Sequence, residues 1–323
     1  MASPSTSVFR PGTLAFITGS ASGVGFAFAQ HCRRQGMHVA LADINSDNLE
    51  KAKTALQAIT PNTPNTNTSP QILTYTLDVS DLSAWTQVKS DLTTNTRFST
   101  INFLMLNAGM SMKPSTSTPW DDAAYFHKTL ATNFFGVVHG LATLLPLVTD
   151  TKSNSDSSGP SAIVITGSKQ GITNPPGNPA YNASKAAVKV VAEQLAHDLR
   201  SKTSTSQQQV SVHLLVPGWT FTGLSGNQGP VPDEQALNKK PRGAWLPSQV
   251  VEYGVKKINA GKFYIICPDT DVDEALDQAR MAWAVGDIIE GRSALSRWDQ
   301  QFKFDAAKAI AEDAERRRGA KKA

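Results

Sequence analysis

Residues 13–25 read TLAFITGSASGVG: an apolar run from Thr13 to Thr18, then a turn carrying Gly19, Ser22, Gly23, Val24 and Gly25. A short apolar run bounded by glycines reads as a buried strand. Gly23 to Gln35, with Val24, Phe28 and Cys32 at helical spacing, reads as the helix that follows it. A helix N-terminus offers N–H groups and a partial positive charge, and glycines let the backbone approach a pyrophosphate that a Cβ would block. Tight turns are often glycine-rich for purely structural reasons. The placement between first strand and first helix is what points to a dinucleotide. The next apolar strand, His38 to Ala42, ends at Asp43, about 20 residues past the glycines, where a carboxylate can accept hydrogen bonds from ribose hydroxyls. It would repel a 2′-phosphate. Neither Ser22 nor Ile44 offers a compensating cation, and Arg33 and Arg34 are expected to face solvent. The reading favours NAD over NADP; a turn-capping aspartate is the structural alternative.

Working outward, strands and helices alternate. Further strands are expected at Ile72 to Leu77, Ile101 to Leu106, Ala162 to Thr166, Val210 to Val216 and Lys262 to Ile266. Helices are expected at Asp47 to Ile59, Leu82 to Thr94, Asp121 to Leu147 and Ala180 to Arg200. Such alternation implies parallel pairing through right-handed crossovers, and near-continuous apolar strands fit a sheet covered on both faces. The expected class is α/β: a Rossmann-type doubly wound parallel sheet of about seven strands. Residues 1–268 form the expected dinucleotide-binding catalytic domain, with a substrate loop at about 219–246. Residues 269–323 form a C-terminal helical extension, amphipathic through Val272, Leu276, Ala279 and Trp283. Three polar segments, Thr60 to Pro70, Thr149 to Pro160 and Ser201 to Gln209, read as surface loop expansions because the alternation resumes after each.

Composition narrows the function. The chain has 323 residues, 40% hydrophobic and 18% charged, which is globular composition. A net charge of +4 is too small to argue for nucleic acid, and Arg316, Arg317, Arg318, Lys321 and Lys322 read as a solvated tail. No unbroken apolar run approaches the ~18–20 residues needed to span a bilayer, so no membrane partner is expected. Two cysteines, Cys32 and Cys267, exclude a disulfide scaffold and a four-cysteine zinc site, and no metal is expected. With no apolar leader at the N-terminus, the expected location is cytoplasmic.

Tyr181 and Lys185 stand one helical turn apart. A phenol of pKa about 10 is a poor base at neutral pH, and a neighbouring ammonium favours its phenolate. The pair could therefore move a proton to or from a carbonyl or alcohol oxygen. Alone, this spacing is weak. It follows Asn107-Ala108-Gly109 after the fourth strand, Asn133 in the long helix, and Ser168, which precedes Tyr181 by thirteen residues; Pro217-Gly218 and Thr222 come after. In that order the motifs, from about Gly12 to Pro268, resemble the short-chain dehydrogenase/reductase family, in its single-domain T-G-x-x-x-G-x-G form.

The resemblance implies roles. Tyr181 would be the general acid/base, and Lys185 would lower its pKa and hold the nicotinamide ribose. Ser168 would bond the substrate oxygen, and Asn133 would hold a water linking Lys185 to solvent. Asp78 and Val79 would contact adenine, with Asn107, Ala108 and Gly109 along the cofactor's adenosine side. Pro217, Gly218, Thr220 and Thr222 would meet the nicotinamide end. Leu106 stands where many members carry a second Asn. Lys169 is an unusual charge after the serine, expected to point to solvent rather than to attract an anionic substrate at the pocket rim. Substrate-facing candidates are Met110, Met112, Pro175, Pro176, Trp219, Phe221, Leu224 and Trp245, with Gln170, Asn174 and Asn178 as polar contacts. They favour a hydrophobic ketone or secondary alcohol, although aromatics in a lid could equally pack the lid. The helices carrying Asn133 and Tyr181 resemble those of the family's usual dimer, so a homodimer or homotetramer is expected. The implied function is NAD(H)-dependent oxidoreduction of a small molecule. The alternative is a non-catalytic dinucleotide sensor on the same fold.

Overall fold

The computed structural model describes residues 7–62, 70–94, 98, 100–149, 159–202, 210–225 and 229–320. Seven parallel strands form one sheet in the order β3-β2-β1-β4-β5-β6-β7. They are β1 (Leu14–Thr18), β2 (His38–Asp43), β3 (Ile72–Thr76), β4 (Phe103–Leu106), β5 (Ser161–Thr166), β6 (Val210–Val216) and β7 (Tyr264–Ile266). The order reverses between β1 and β4, the switch point at which doubly wound sheets bind ligands.

The helices are α1 (Gly23–Arg34), α2 (Ser46–Gln57), α3 (Leu82–Thr94), α4 (Ala123–Leu130), α5 (Gly136–Thr149), α6 (Gln170–Thr173), α7 (Pro179–Lys202), α8 (Asp233–Leu237), α9 (Pro247–Asn259), α10 (Glu274–Ile289) and α11 (Lys303–Ala320). Every β1 residue is buried, and alternate ones serve opposite cores. Ala15 and Ile17 join the core that includes Phe28, Leu49 and Val250, on α1, α2 and α9. Leu14 and Phe16 join the core that includes Trp85, Leu144 and Val188, on α3, α5 and α7. Burial on both faces is why these strands read as unbroken apolar runs. Each large apolar side chain so buried contributes about 1.5–3 kcal/mol.

Several expectations change. The single helix expected over 121–147 is α4 and α5 joined by a π-helical turn, Ala131–Phe135. The stretch Ala123–Thr149 as a whole is apolar enough and long enough to cross a membrane, with mean hydropathy 1.5 over its most apolar window, contrary to the sequence estimate. Here it packs on α3, β4 and β5. The α9 crossover was not anticipated; it begins at Pro247, and the Gln249 side chain accepts the Leu246 N–H. Arg33 does not face solvent. It is buried and donates to the Leu56 and Pro70 carbonyls, tying α1 to the end of α2 and the approach to β3. Arg316, Arg317 and Arg318 stay in contact with solvent on the last turns of α11, where Arg316 and Arg317 pair with Asp313 and Arg318 pairs with Asp273 at the start of α10. Lys321, Lys322 and most of the three polar segments lie outside the described residues.

Candidate active site

A cavity of about 890 Å³ opens along the carboxyl ends of β1, β2, β4, β5 and β6. Its lining includes Gly19, Ser22, Gly23, Val24, Asp43, Asp78, Val79, Asn107, Ala108, Gly109, Ser168, Tyr181, Lys185, Pro217, Gly218, Thr220 and Thr222. Of the predicted catalytic and cofactor-binding residues, Gly25 and Asn133 alone are absent from the wall.

The glycine turn is built by close packing. Gly19 has φ +60°, and a Cβ there would lie 2.9 Å from the Ala108 Cα. Gly23, at φ +54°, has Thr222 3.1 Å from the same position. Gly25 lies beneath the turn, where a Cβ would come within 2.3 Å of the Gly19 carbonyl oxygen. It touches no ligand space; it lets α1 approach the turn. Gly25→Ala is therefore expected to lower stability by about 1–3 kcal/mol through overpacking and to weaken dinucleotide binding. Thermal melts and nicotinamide fluorescence titration read both effects; unchanged values would mean the turn can yield. The first turn of α1 carries no acidic residue, and its N-cap Ser22 side chain makes no capping bond. The helix end thus faces the cavity as an uncapped positive dipole. This cradle fits a dinucleotide's phosphates.

Asp43 ends β2 at the rim. Its Oδ2 accepts the Ala21 N–H at 3.0 Å and its Oδ1 the Asn45 N–H at 3.1 Å. The carboxylate therefore braces the glycine turn, and each oxygen keeps a lone pair for another donor. Asn107 is a three-way clasp at the switch point. Its Nδ2 donates to the Thr18 and Gly19 carbonyls, and its Oδ1 accepts from Thr166 Oγ1. Asp78 Oδ1 holds Ser80 through its N–H and hydroxyl.

α7 presents Tyr181 and Lys185 on one face, with the Lys185 ammonium 5.9 Å from the Tyr181 ring centre. Tyr181 is almost wholly buried. Burial pushes its phenol pKa up, and a hydrogen bond with the Ser168 side chain partly opposes the rise. Lys185 donates to the Thr166 carbonyl at 2.9 Å, and burial lowers its pKa from 10.5 to about 8. Asn133, carried by the π-helical turn, is fully buried. Its Oδ1 accepts the Met110 N–H at 2.7 Å, while its Nδ2 donates to the Met110 carbonyl and Ser184 Oγ. Both amide hydrogens are spent on protein partners, and the two bonds to Met110 fix the segment after β4.

The segment after β6 covers the glycine turn. Phe221 N–H donates to the Trp245 carbonyl and Trp245 N–H to the Trp219 carbonyl. Phe221 packs with Ala236, Ala244 and Leu246 in a small core, and Trp245 packs against the core that includes α9. These two aromatics hold the lid together and do not line the cavity. Met112, Pro175, Pro176, Asn174 and Asn178 are also off the wall. Asn174 accepts from Asn182, and Asn178 Oδ1 accepts from the Tyr125 hydroxyl. Met110, Trp219, Leu224 and Gln170 remain. Ser111, Thr132 and Thr166, which the sequence reading passed over, join them. Lys169, expected in solvent, pairs with Asp277 at 2.5 Å and Asp269 at 3.4 Å.

A doubly wound sheet, a glycine cradle and a serine–tyrosine–lysine set at the switch point define a nicotinamide-dinucleotide-dependent oxidoreductase acting on small molecules. The chain belongs to the short chain dehydrogenase family, whose profile matches residues 13–231. It is 28% identical over 211 residues to a fatty acyl-CoA reductase of Acinetobacter baylyi, covering 64% of this chain and 65% of that protein. It is 28% identical over 212 residues to levodione reductase of Leifsonia aquatica, covering 65% and 70%. A Burkholderia phymatum short chain dehydrogenase/reductase solved in complex with NAD superimposes with a TM-score of 0.68 at 24% identity, over 88% of this chain and 96% of that one.

Proposed function

We propose that the chain interconverts a neutral, largely apolar secondary alcohol and the corresponding ketone, using NAD(H). The observation that carries this reading is Tyr181, which shares the cavity wall with Ser168 and stands one turn from Lys185, whose ammonium is 5.9 Å from its ring centre. The dinucleotide, when bound, supplies or accepts the hydride. Tyr181 gives a proton to the carbonyl oxygen in reduction and takes it back in oxidation. Ser168 bonds that oxygen and offsets the charge developing on it. Lys185 favours the phenolate that oxidation needs. Asn133 fixes Met110 beside the reacting centre, and its amide oxygen, which accepts one bond, keeps a lone pair for the relay water.

Substrate polarity follows from what faces the cavity. Met110, Trp219 and Leu224 supply apolar surface, with Ser111 and Gln170 as neutral polar contacts. Lys169 also lines the cavity, but it is paired with two carboxylates, which offset its charge towards an anionic substrate. A sensor on the same fold would have no use for a proton-transfer tyrosine. A panel of ketones and alcohols, followed at the nicotinamide absorbance band, tests the reading; no spectral change with any neutral member, despite dinucleotide binding, would favour the sensor.

For the cofactor, Asp43 carries the NAD preference. A 2′-phosphate would replace a hydroxyl donor with negative charge beside this carboxylate. The hydrogen bond lost is worth about 1.5–3 kcal/mol, and so at least ~10-fold discrimination. Asp43→Ser is expected to weaken both cofactors, because it also releases the Ala21 N–H, and to shift the ratio of catalytic efficiencies towards NADP(H). A wild-type preference for NADP(H) would overturn the assignment. Exposed Phe135 and Val190, beside α5 and on α7, support a homodimer or homotetramer through that face. A cytoplasmic location remains part of the proposal.

A further inference from the structure

Ser168 is followed at once by a charge whose partners lie far along the chain. Lys169 Nζ lies 2.5 Å from Asp277 Oδ2 on α10 and 3.4 Å from Asp269 Oδ2 after β7. All three side chains are largely shielded, at 16%, 4% and 11% exposure. Asp269 Oδ2 also accepts the Trp219 N–H at 3.3 Å. Gly218 lies directly against the pair: a Cβ there would be 2.8 Å from Asp269 Oδ2 and 3.0 Å from Lys169 Nζ. One ammonium therefore joins the serine loop, the Gly218–Trp219 turn, the segment after β7 and the C-terminal extension.

The backbone continues the chain of contact. α6, which starts one residue after Lys169, packs on α10 on one side and on α7 on the other. Against α7 there is no slack, since a Cβ on Gly171 would lie 2.5 Å from the Lys185 carbonyl carbon. α10 thus backs α6, and α6 backs the turn of α7 that carries Lys185. Charges so shielded cost desolvation free energy that only good mutual geometry offsets, and removing one leaves the others uncompensated. Arg280 and Arg297 add positive charge around Asp277.

We propose that Lys169 is a positioning residue, an ionic latch that docks the C-terminal helix α10 behind the active site and thereby sets Ser168 and the Gly218–Trp219 turn in register with Tyr181 and Lys185. The catalytic consequence rests on the oxidoreductase reading above; the mechanical one does not. Misplacement of reacting groups by about 1 Å can cost 10²-fold in rate, so small movements of the serine loop are read strongly in kcat.

The test compares full-length wild type, Lys169→Met and Lys169→Arg. Hydrogen exchange is followed at 168–173, 217–222 and 274–289, together with kcat and KM for a substrate found in the ketone and alcohol panel. Lys169→Met is expected to exchange at least about tenfold faster in all three segments and to lose at least about tenfold in kcat, with KM changed less. Lys169→Arg, which keeps the charge, is expected to restore most of both. Faster exchange confined to 274–289 with wild-type kcat would overturn the latch, as would unchanged exchange everywhere. Should wild type turn over no panel member, the functional reading fails while exchange still decides the latch. Should Lys169→Met not fold, Asp277→Asn, isosteric and leaving Asp269 in place, is expected to show the same changes at smaller size.

Discussion

Tyr181→Phe is expected to leave the fold and dinucleotide affinity within about twofold of wild type and to lower turnover by about 10²–10⁴, the usual worth of a positioned general acid or base. Tyr181 is 8% exposed and packed at the start of α7, so phenylalanine fills the same space. What disappears is one hydroxyl and its hydrogen bond with Ser168. Burial raises the phenol's pKa, so at neutral pH the hydroxyl is protonated and ready to donate to a carbonyl oxygen. In the oxidising direction it must first lose that proton, and the variant has none to lose. Both directions should therefore fail together. Steady-state rates in each direction, with nicotinamide fluorescence for binding, check this; a folded variant within tenfold of wild type in either direction would remove Tyr181 from the chemistry.

Legibility in the sequence followed the range of the interaction. The sheet was readable because each strand is buried on both faces, as at Leu14–Thr18, where no polar residue interrupts the run until Thr18. The glycine turn was readable because backbone-to-backbone approach tolerates no substitute at Gly25. The spacing of Tyr181 and Lys185 is a helix property. What escaped depends on contacts distant in sequence. Lys169 looked solvent-bound because Asp277 lies 108 positions later. Phe221 and Trp245 looked substrate-facing because aromatic lids and aromatic pockets have the same composition. The π-helical turn at Asn133 leaves an unbroken helical periodicity in the sequence, while its effect is to aim one amide at Met110. α9 could have been found, since Pro247 at its first turn precedes Val250, Val251, Gly254 and Ile258 at helical spacing.

Lys185→Met should damage catalysis and reveal a cost that the native fold carries. Loss of a preorganised charge beside the reacting centre is expected to lower kcat on the order of 10²–10³-fold, with weaker dinucleotide binding as well. Lys185 is 5% exposed, its ammonium bonds the Thr166 carbonyl, and burial brings its pKa from 10.5 to about 8. That displacement corresponds to on the order of 3 kcal/mol disfavouring the charged native form. Between those values the unfolded chain holds a proton that the native chain has released, so stability from this group rises with pH. Below about pH 8 both forms are charged and the whole cost is present; above about 10.5 both are neutral and it is gone. Methionine has no charge to bury. Wild-type minus variant unfolding free energy should therefore climb by on the order of 3 kcal/mol from pH 8 to 10.5. In the carbonyl-reducing direction, wild-type turnover should fall as pH rises through about 8, a limb the variant should lack. Denaturant unfolding of both proteins across that range, without dinucleotide, isolates Lys185 and the groups that sense its charge, since titrations elsewhere cancel in the difference. A flat difference curve would mean that Lys185 stays hydrated in the native chain, and its place beside Tyr181 would then be that of an ordinary surface lysine.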